Sequence, residues 1–174
     1  MFANLFSARA ERKNAHAIYY NLVSQARRPV FYTDMGVADT VEGRFDLILL
    51  HLFMVEKRLE AEGPGYIRLR RYIQETMISD MDRSFREFGV GDMSVGKEMK
   101  KVGAAWLGRR SAYDQATREG AGHADLLKTI EKNIYRGAEA SGAAELVNYT
   151  NKTIADLAAV SLDSPRECVL FTAG

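Results

Sequence analysis

The segment ADTVEGRFDLILLHLFMVEKRLEAEG, residues 38–63, most constrains what this chain can fold into. From Phe45 to Val55 it reads as apolar on nearly every side, with His51 the only interruption. A helix that is apolar all round must be buried, so this one is expected at the centre of the fold. Asp39 followed three residues later by Glu42 reads as a capping box at its start. The GPG at 63–65 breaks it. The continuous apolar run, LILLHLFMV at 47–55, is far shorter than the ~20 residues a membrane span requires. A core helix is expected there, and no span.

Helical periodicity continues on both sides. Segment 8–28 carries Ile18, Leu22 and Ala26 beside Ala15, Tyr19 and Val23, and Pro29 ends it, since the residue before proline is pushed out of the α region. PVFYTDMG, 29–36, reads as an extended connector. A third helix is expected from about Tyr66 to Phe88, with the stripe Tyr66, Leu69, Ile73, Met77, Met81, Phe85 and Phe88 facing the core. Gly89 and Gly91 terminate it. Ser94 then caps a short helix to about Trp106, with Val95, Met99, Val102 and Trp106 on one side and Lys97, Lys100 and Lys101 on the other. Further helices are expected at about 109–119, 123–135 and 139–161, then an extended tail, SPRECVLFTAG. The reading is all-α. It describes a compact bundle of six or seven helices, one domain over residues 1–174, with mobile ends at 1–8 and 163–174.

The formal net charge of +1 provides no global basic field, so no specific nucleic-acid partner is expected. Cys168 is the sole cysteine, which excludes an intramolecular disulfide and a thiolate metal cage. His16, His51 and His123 form no pair at helical spacing, so neither metal nor cofactor is expected. His51 is read as a core imidazole bonded to a nearby polar group. The start, MFANLFSARAERKNA, lacks the apolar stretch of a secretory signal.

GDMSVGKE, 91–98, is one hydroxyl short of a phosphate-binding P-loop. Such a loop needs a strand before it, and here a helix precedes it. Glu98 occupies the hydroxyl position and would repel phosphate. The segment is therefore read as a turn between helices, with Lys97 on the exposed side.

The third helix orders its charges against its own dipole. Arg68, Arg70 and Arg71 lie near its N-terminus, and Asp80, Asp82 and Glu87 near its C-terminus. Each such charge costs ~0.3–1 kcal/mol at a surface. Local rules broken without a local gain often mark function. A pair such as Asp82–Arg86 relieves part of the conflict.

Two blocks carry a resemblance: DMDRSFREFGVGDMSVGKEMKK at 80–101, and VADTVEGRFDLILLHLFMVEKRL at 37–59 preceded by IYYNLVSQARRPVFY. AYD at 112–114 and KNIYRG at 132–137 echo it. Together they resemble the ubiquinol–cytochrome c chaperone family, over about Ala17 to Val160. The resemblance implies a non-enzymatic chaperone that binds newly made cytochrome b during assembly of respiratory complex III, in some members with a small co-chaperone. Lacking a long targeting extension, the chain looks like a bacterial member. It is then expected in the cytoplasm, or peripherally on the inner membrane.

The expected partner surface joins the end of the third helix to the next. Asp80, Asp82, Arg83, Arg86 and Asp92 supply polar recognition. Gly89 and Gly91 position the turn. Lys97, Lys100 and Lys101 dock on anionic lipid headgroups or an acidic partner, or are simply a solvated face. The competing readings are a peripheral membrane-surface protein with no specific client, and an enzyme using His51 or Asp80 and Asp82. The last two lie about 200° apart on one helix and do not converge.

Overall fold

The computed structural model describes residues 2–165 and residue 170. The elements are helices α1 (Phe2–Ala26), α2 (Val30–Thr33), α3 (Val41–Ala61), α4 (Ile67–Glu87), α5 (Asp92–Ala116), α6 (His123–Ile130) and α7 (Ala143–Ala159). A 3-10 turn at Pro64–Tyr66 leads into α4, and a π turn at Glu131–Tyr135 extends α6. No strand occurs among the described residues. The all-α reading is correct. Most of the expected tail lies outside the described residues.

α3 is the centre. Leu47 through Val55 are all buried, and α1, α4, α5 and α7 pack around it. α1 lies along α4 through Ala15, Ile18, Tyr19 and Leu22, while Leu69, Ile73 and Met77 of α4 are fully buried. α7 closes the bundle with Leu146, Val147 and Leu157.

Several local expectations need correction. The N-cap of α3 is Thr40, whose hydroxyl accepts from the Gly43 amide at 3.1 Å; Asp39 instead binds Arg44 at 2.6 Å. Residues 29–36 are not extended throughout. Pro29, at φ −53°, presets the entry to the turn α2, where its carbonyl accepts from Tyr32 and Thr33 at 2.9 Å. α5 begins at Asp92 rather than Ser94 and runs through Trp106 to Ala116, merging two expected helices. Gly103 and Gly108 each cost about 1 kcal/mol in a helix interior. The buried positions Val95, Val102, Trp106, Tyr113 and Ala116 nevertheless stay in phase, so packing overrides propensity. α7 begins at Ala143, where a Cβ on Gly142 would fall 2.2 Å from the Met35 carbonyl oxygen; only glycine lets these segments meet.

Phe88 was expected at the end of the α4 core stripe. It is 71% exposed, because the helix ends at Glu87 before Phe88 can turn inward.

Candidate functional site

The arginines that oppose the α4 dipole are explained by neighbouring helices. Arg68 donates to the buried Glu11 of α1, with Nε 2.7 Å from Oε2. Arg70 Nε lies 2.8 Å from Oε2 of Glu56, a fully buried carboxylate of α3, and Gln74 donates to its other oxygen at 3.0 Å. Arg71 remains at the surface with Glu75, 3.4 Å away. The dipole penalty is small beside what is lost when a buried pair is broken, about 3–5 kcal/mol. The N-terminal half of α4 is therefore a clamp rather than a recognition surface.

A second buried centre escaped the sequence reading, which named His51 as the only interruption of the apolar helix. Asp46 is fully buried one turn into α3. Arg136 donates to its Oδ2 at 2.9 and 2.6 Å, and Arg109 Nη2 lies 2.6 Å from Oδ1. Burial pushes the Asp46 carboxyl up, and the two guanidiniums oppose that rise. Arg136 has a left-handed backbone, φ 53°, where a non-glycine residue is strained. Its side-chain bonds to Asp46 hold it there. The hydroxyl of Tyr113, also fully buried, has no hydrogen-bond partner among the described residues. The signal in sequence was a lone acid inside an apolar run, whose partners lie at positions 109 and 136.

His51 is the core imidazole expected. Its Nδ1–H donates to the Leu47 carbonyl at 2.7 Å, which leaves Nε2 to accept from the Tyr149 hydroxyl at 2.7 Å. Gln25 donates to that hydroxyl at 3.2 Å. Burial pushes the His51 pKa down to about 4. The imidazole is neutral and fully engaged, which gives an acid–base role no support.

The expected partner residues gather at the opposite end of α4. Gly89, at φ 79°, ends the helix in a Schellman motif: Val90 N–H donates to the Phe85 carbonyl and Gly89 N–H to that of Arg86, both at 3.0 Å. Gly91 then caps α5, its carbonyl accepting from Val95 at 3.1 Å. The two helices so form a hairpin. Asp80 is held by the Tyr19 hydroxyl at 2.9 Å and by Arg83 at 2.5 Å, with 11% of its side chain exposed. It ties α4 to α1. Asp82 accepts from Arg86 Nε at 2.7 Å, and that guanidinium holds its carboxyl below the usual carboxylate range. Arg86 also bonds Asp92 across the turn. Asp80 and Asp82 thus serve different arginines and share no cleft.

The P-loop-like segment lies mostly within the first turns of α5. Glu98 takes Lys101 at 2.8 Å, while Lys97 and Lys100 project from the exposed side without an ion pair among the described residues. Met93 is fully exposed. Between α5 and α6 a cleft of about 920 Å³ is lined by Ala104, Gly108 and Ala112 together with Arg118, Lys128 and Lys132 and the acidic Glu119 and Asp125. The sequence reading missed it, although the three small residues recur at four-residue spacing.

The fold is thus an all-α bundle with its charged centres neutralised in place and a polar hairpin end left open to solvent. The chain belongs to the ubiquinol–cytochrome c chaperone family, whose description matches residues 33–167. Among solved structures it is similar to a Cbp3 homolog from Brucella abortus, at 30% identity and a TM-score of 0.80, covering 92% of this chain and 90% of that one. No curated protein matches it.

Proposed function

We propose that the protein is a non-enzymatic chaperone for cytochrome b during assembly of ubiquinol–cytochrome c reductase, respiratory complex III. The observation that carries this is the family match over residues 33–167, which contains the whole α4–α5 hairpin. In this reading residues 1–174 act as one helical unit in the cytoplasm or at the inner membrane face. Binding energy alone does the work: the client is held until haem and partner subunits arrive, and no bond is made or broken.

The client surface is the hairpin end. Asp82, Arg86 and Asp92 form a chain of exposed ion pairs, with Arg83 beside them on Asp80, that exchanges internal pairs for client pairs at little cost, because exposed ion pairs contribute only about 0–1 kcal/mol. Asp80, Gly89 and Gly91 position this edge: Asp80 anchors α4 on α1, and the glycines set the hairpin angle. A small co-chaperone is compatible with the surfaces left over.

The test is affinity capture of the tagged protein from its native host after crosslinking, scored for cytochrome b. Wild type is compared with Asp82→Lys, and circular dichroism verifies the fold of the variant. Recovery by wild type and loss in the folded variant is the expected result. Failure of wild type to recover cytochrome b rejects the reading.

A further inference from the structure

Seven large apolar side chains are exposed among the described residues, and the two most exposed, Met93 at 100% and Phe88 at 71%, sit at the α4–α5 hairpin. Leu107, at 66%, lies further along α5. At about 100° per residue, Met93, Lys97, Lys100, Ala104 and Leu107 fall within about 80° of one another on the helix surface. That arc is opposite the buried Val95, Val102 and Trp106. It extends over about 21 Å of helix.

Between Met93 and Leu107 the charge on this face has one sign. Glu98 is the sole carboxylate from Met93 to Leu107, and Lys101 neutralises it at 2.8 Å. Among the described residues Lys97 and Lys100 have no ion-pair partner, and they lie between the two apolar residues. Long lysine stems lie along apolar surface while the ammonium stays at the polar boundary. Two basic side chains between two exposed apolar ones on a single helix face can meet an anionic membrane interface from one side, through headgroup attraction and shallow apolar contact. No helix among the described residues is long and apolar enough to cross a bilayer, so contact is from one side.

We propose that this outer face of α5, with Phe88 at the hairpin end, is a docking surface for an anionic phospholipid bilayer. Met93, Leu107 and Phe88 enter the boundary between headgroups and acyl chains, and Lys97 and Lys100 engage the anionic headgroups. The proposal goes beyond the chaperone reading and does not depend on which client is held. It would bring the polar edge of the hairpin to the surface where a membrane protein is inserted.

The experiment is flotation of the full chain with phosphatidylcholine vesicles, with and without phosphatidylglycerol. Wild type partitions onto the anionic vesicles and not the neutral ones, and added salt weakens the binding. Lys97→Glu/Lys100→Glu lowers the partition coefficient at least about tenfold, since each basic residue contributes to attraction by the surface potential. Met93→Ser/Leu107→Ser, on residues already exposed, lowers it severalfold at unchanged charge. Lys128→Glu/Lys132→Glu, at the cleft rim, leaves it unchanged. Equal partition onto both vesicle types overturns the proposal, as does a lysine variant that binds like wild type. Absence of binding by wild type also overturns it; loss of cytochrome b capture by the lysine variant would then make the face a protein surface. The vesicle assay contains no client, so its failure and that of the chaperone reading are separate results.

Discussion

The two ends of α4 use the same residue types to opposite effect. At its start, Arg68 and Arg70 reach across to Glu11 and Glu56, carboxylates buried in other helices. At its end, Arg83 and Arg86 bond Asp80, Asp82 and Asp92 of the same hairpin, with both guanidiniums at least half exposed and Asp80 drawn in by Tyr19. The first arrangement is bound into the core and cannot be released without leaving a buried charge unpaired. Apart from Asp80, which Tyr19 anchors, the second can exchange partners. An assembly chaperone needs both: a scaffold that does not yield, and an edge whose contacts can be traded.

The largest effect that would break this comparison is at the buried centre. Asp46→Ala strands Arg109 and Arg136, and is expected to cost about 3–5 kcal/mol in chemical denaturation. A loss no larger than that of Asp82→Ala would erase the distinction.

The pH dependence sharpens it next. His51 is held down to about 4 from an ordinary 6.5. Well above pH 6.5 it is neutral folded or unfolded. As pH falls toward 4, the unfolded chain takes up a proton that the folded site refuses, so stability drops across that window by roughly 3 kcal/mol. Asp46 and Glu56, both raised by burial, act with the opposite sign: their contribution is present at low pH and lost as pH rises through their folded values. The difference between wild type and His51→Leu therefore isolates the imidazole, and the variant is expected to show a flatter acid limb.

Tyr113→Phe should stabilise the fold by about 1 kcal/mol, because it removes a buried hydroxyl without a partner. Smallest of all, Asp82→Ala should shift stability by no more than about 0.5 kcal/mol while weakening client capture. A thermal melt beside the capture assay separates the two.

What could be read from the sequence follows the range of the interactions involved. The burial of α3, the α4 stripe from Leu69 to Met77 and the glycine turn at 89–91 are local patterns repeating every three or four residues, and they appear as expected. Phe88 continued that pattern in sequence but not in space, since Gly89 stopped the helix first. The Thr40 cap differs from the expected Asp39 by one position, because Arg44 competes for the aspartate. The role of the α4 arginines and of Asp46 was out of reach. It depends on carboxylates and guanidiniums brought together from positions 11, 56, 109 and 136, which no local spacing reveals. Of the candidate site, the exposed lysines and the Asp82–Arg86 pair were legible; the locking of Asp80 by Tyr19, 61 residues away, was not.

The most direct test of the account is photocrosslinking in the native host, with a photoreactive residue in place of exposed Glu87 at the hairpin end, or of exposed Glu145 on α7. The account predicts a crosslink to cytochrome b from position 87 and none from position 145. Crosslinking from 145 alone, or from both equally, would contradict the claim that the α4–α5 hairpin is the working end of the molecule.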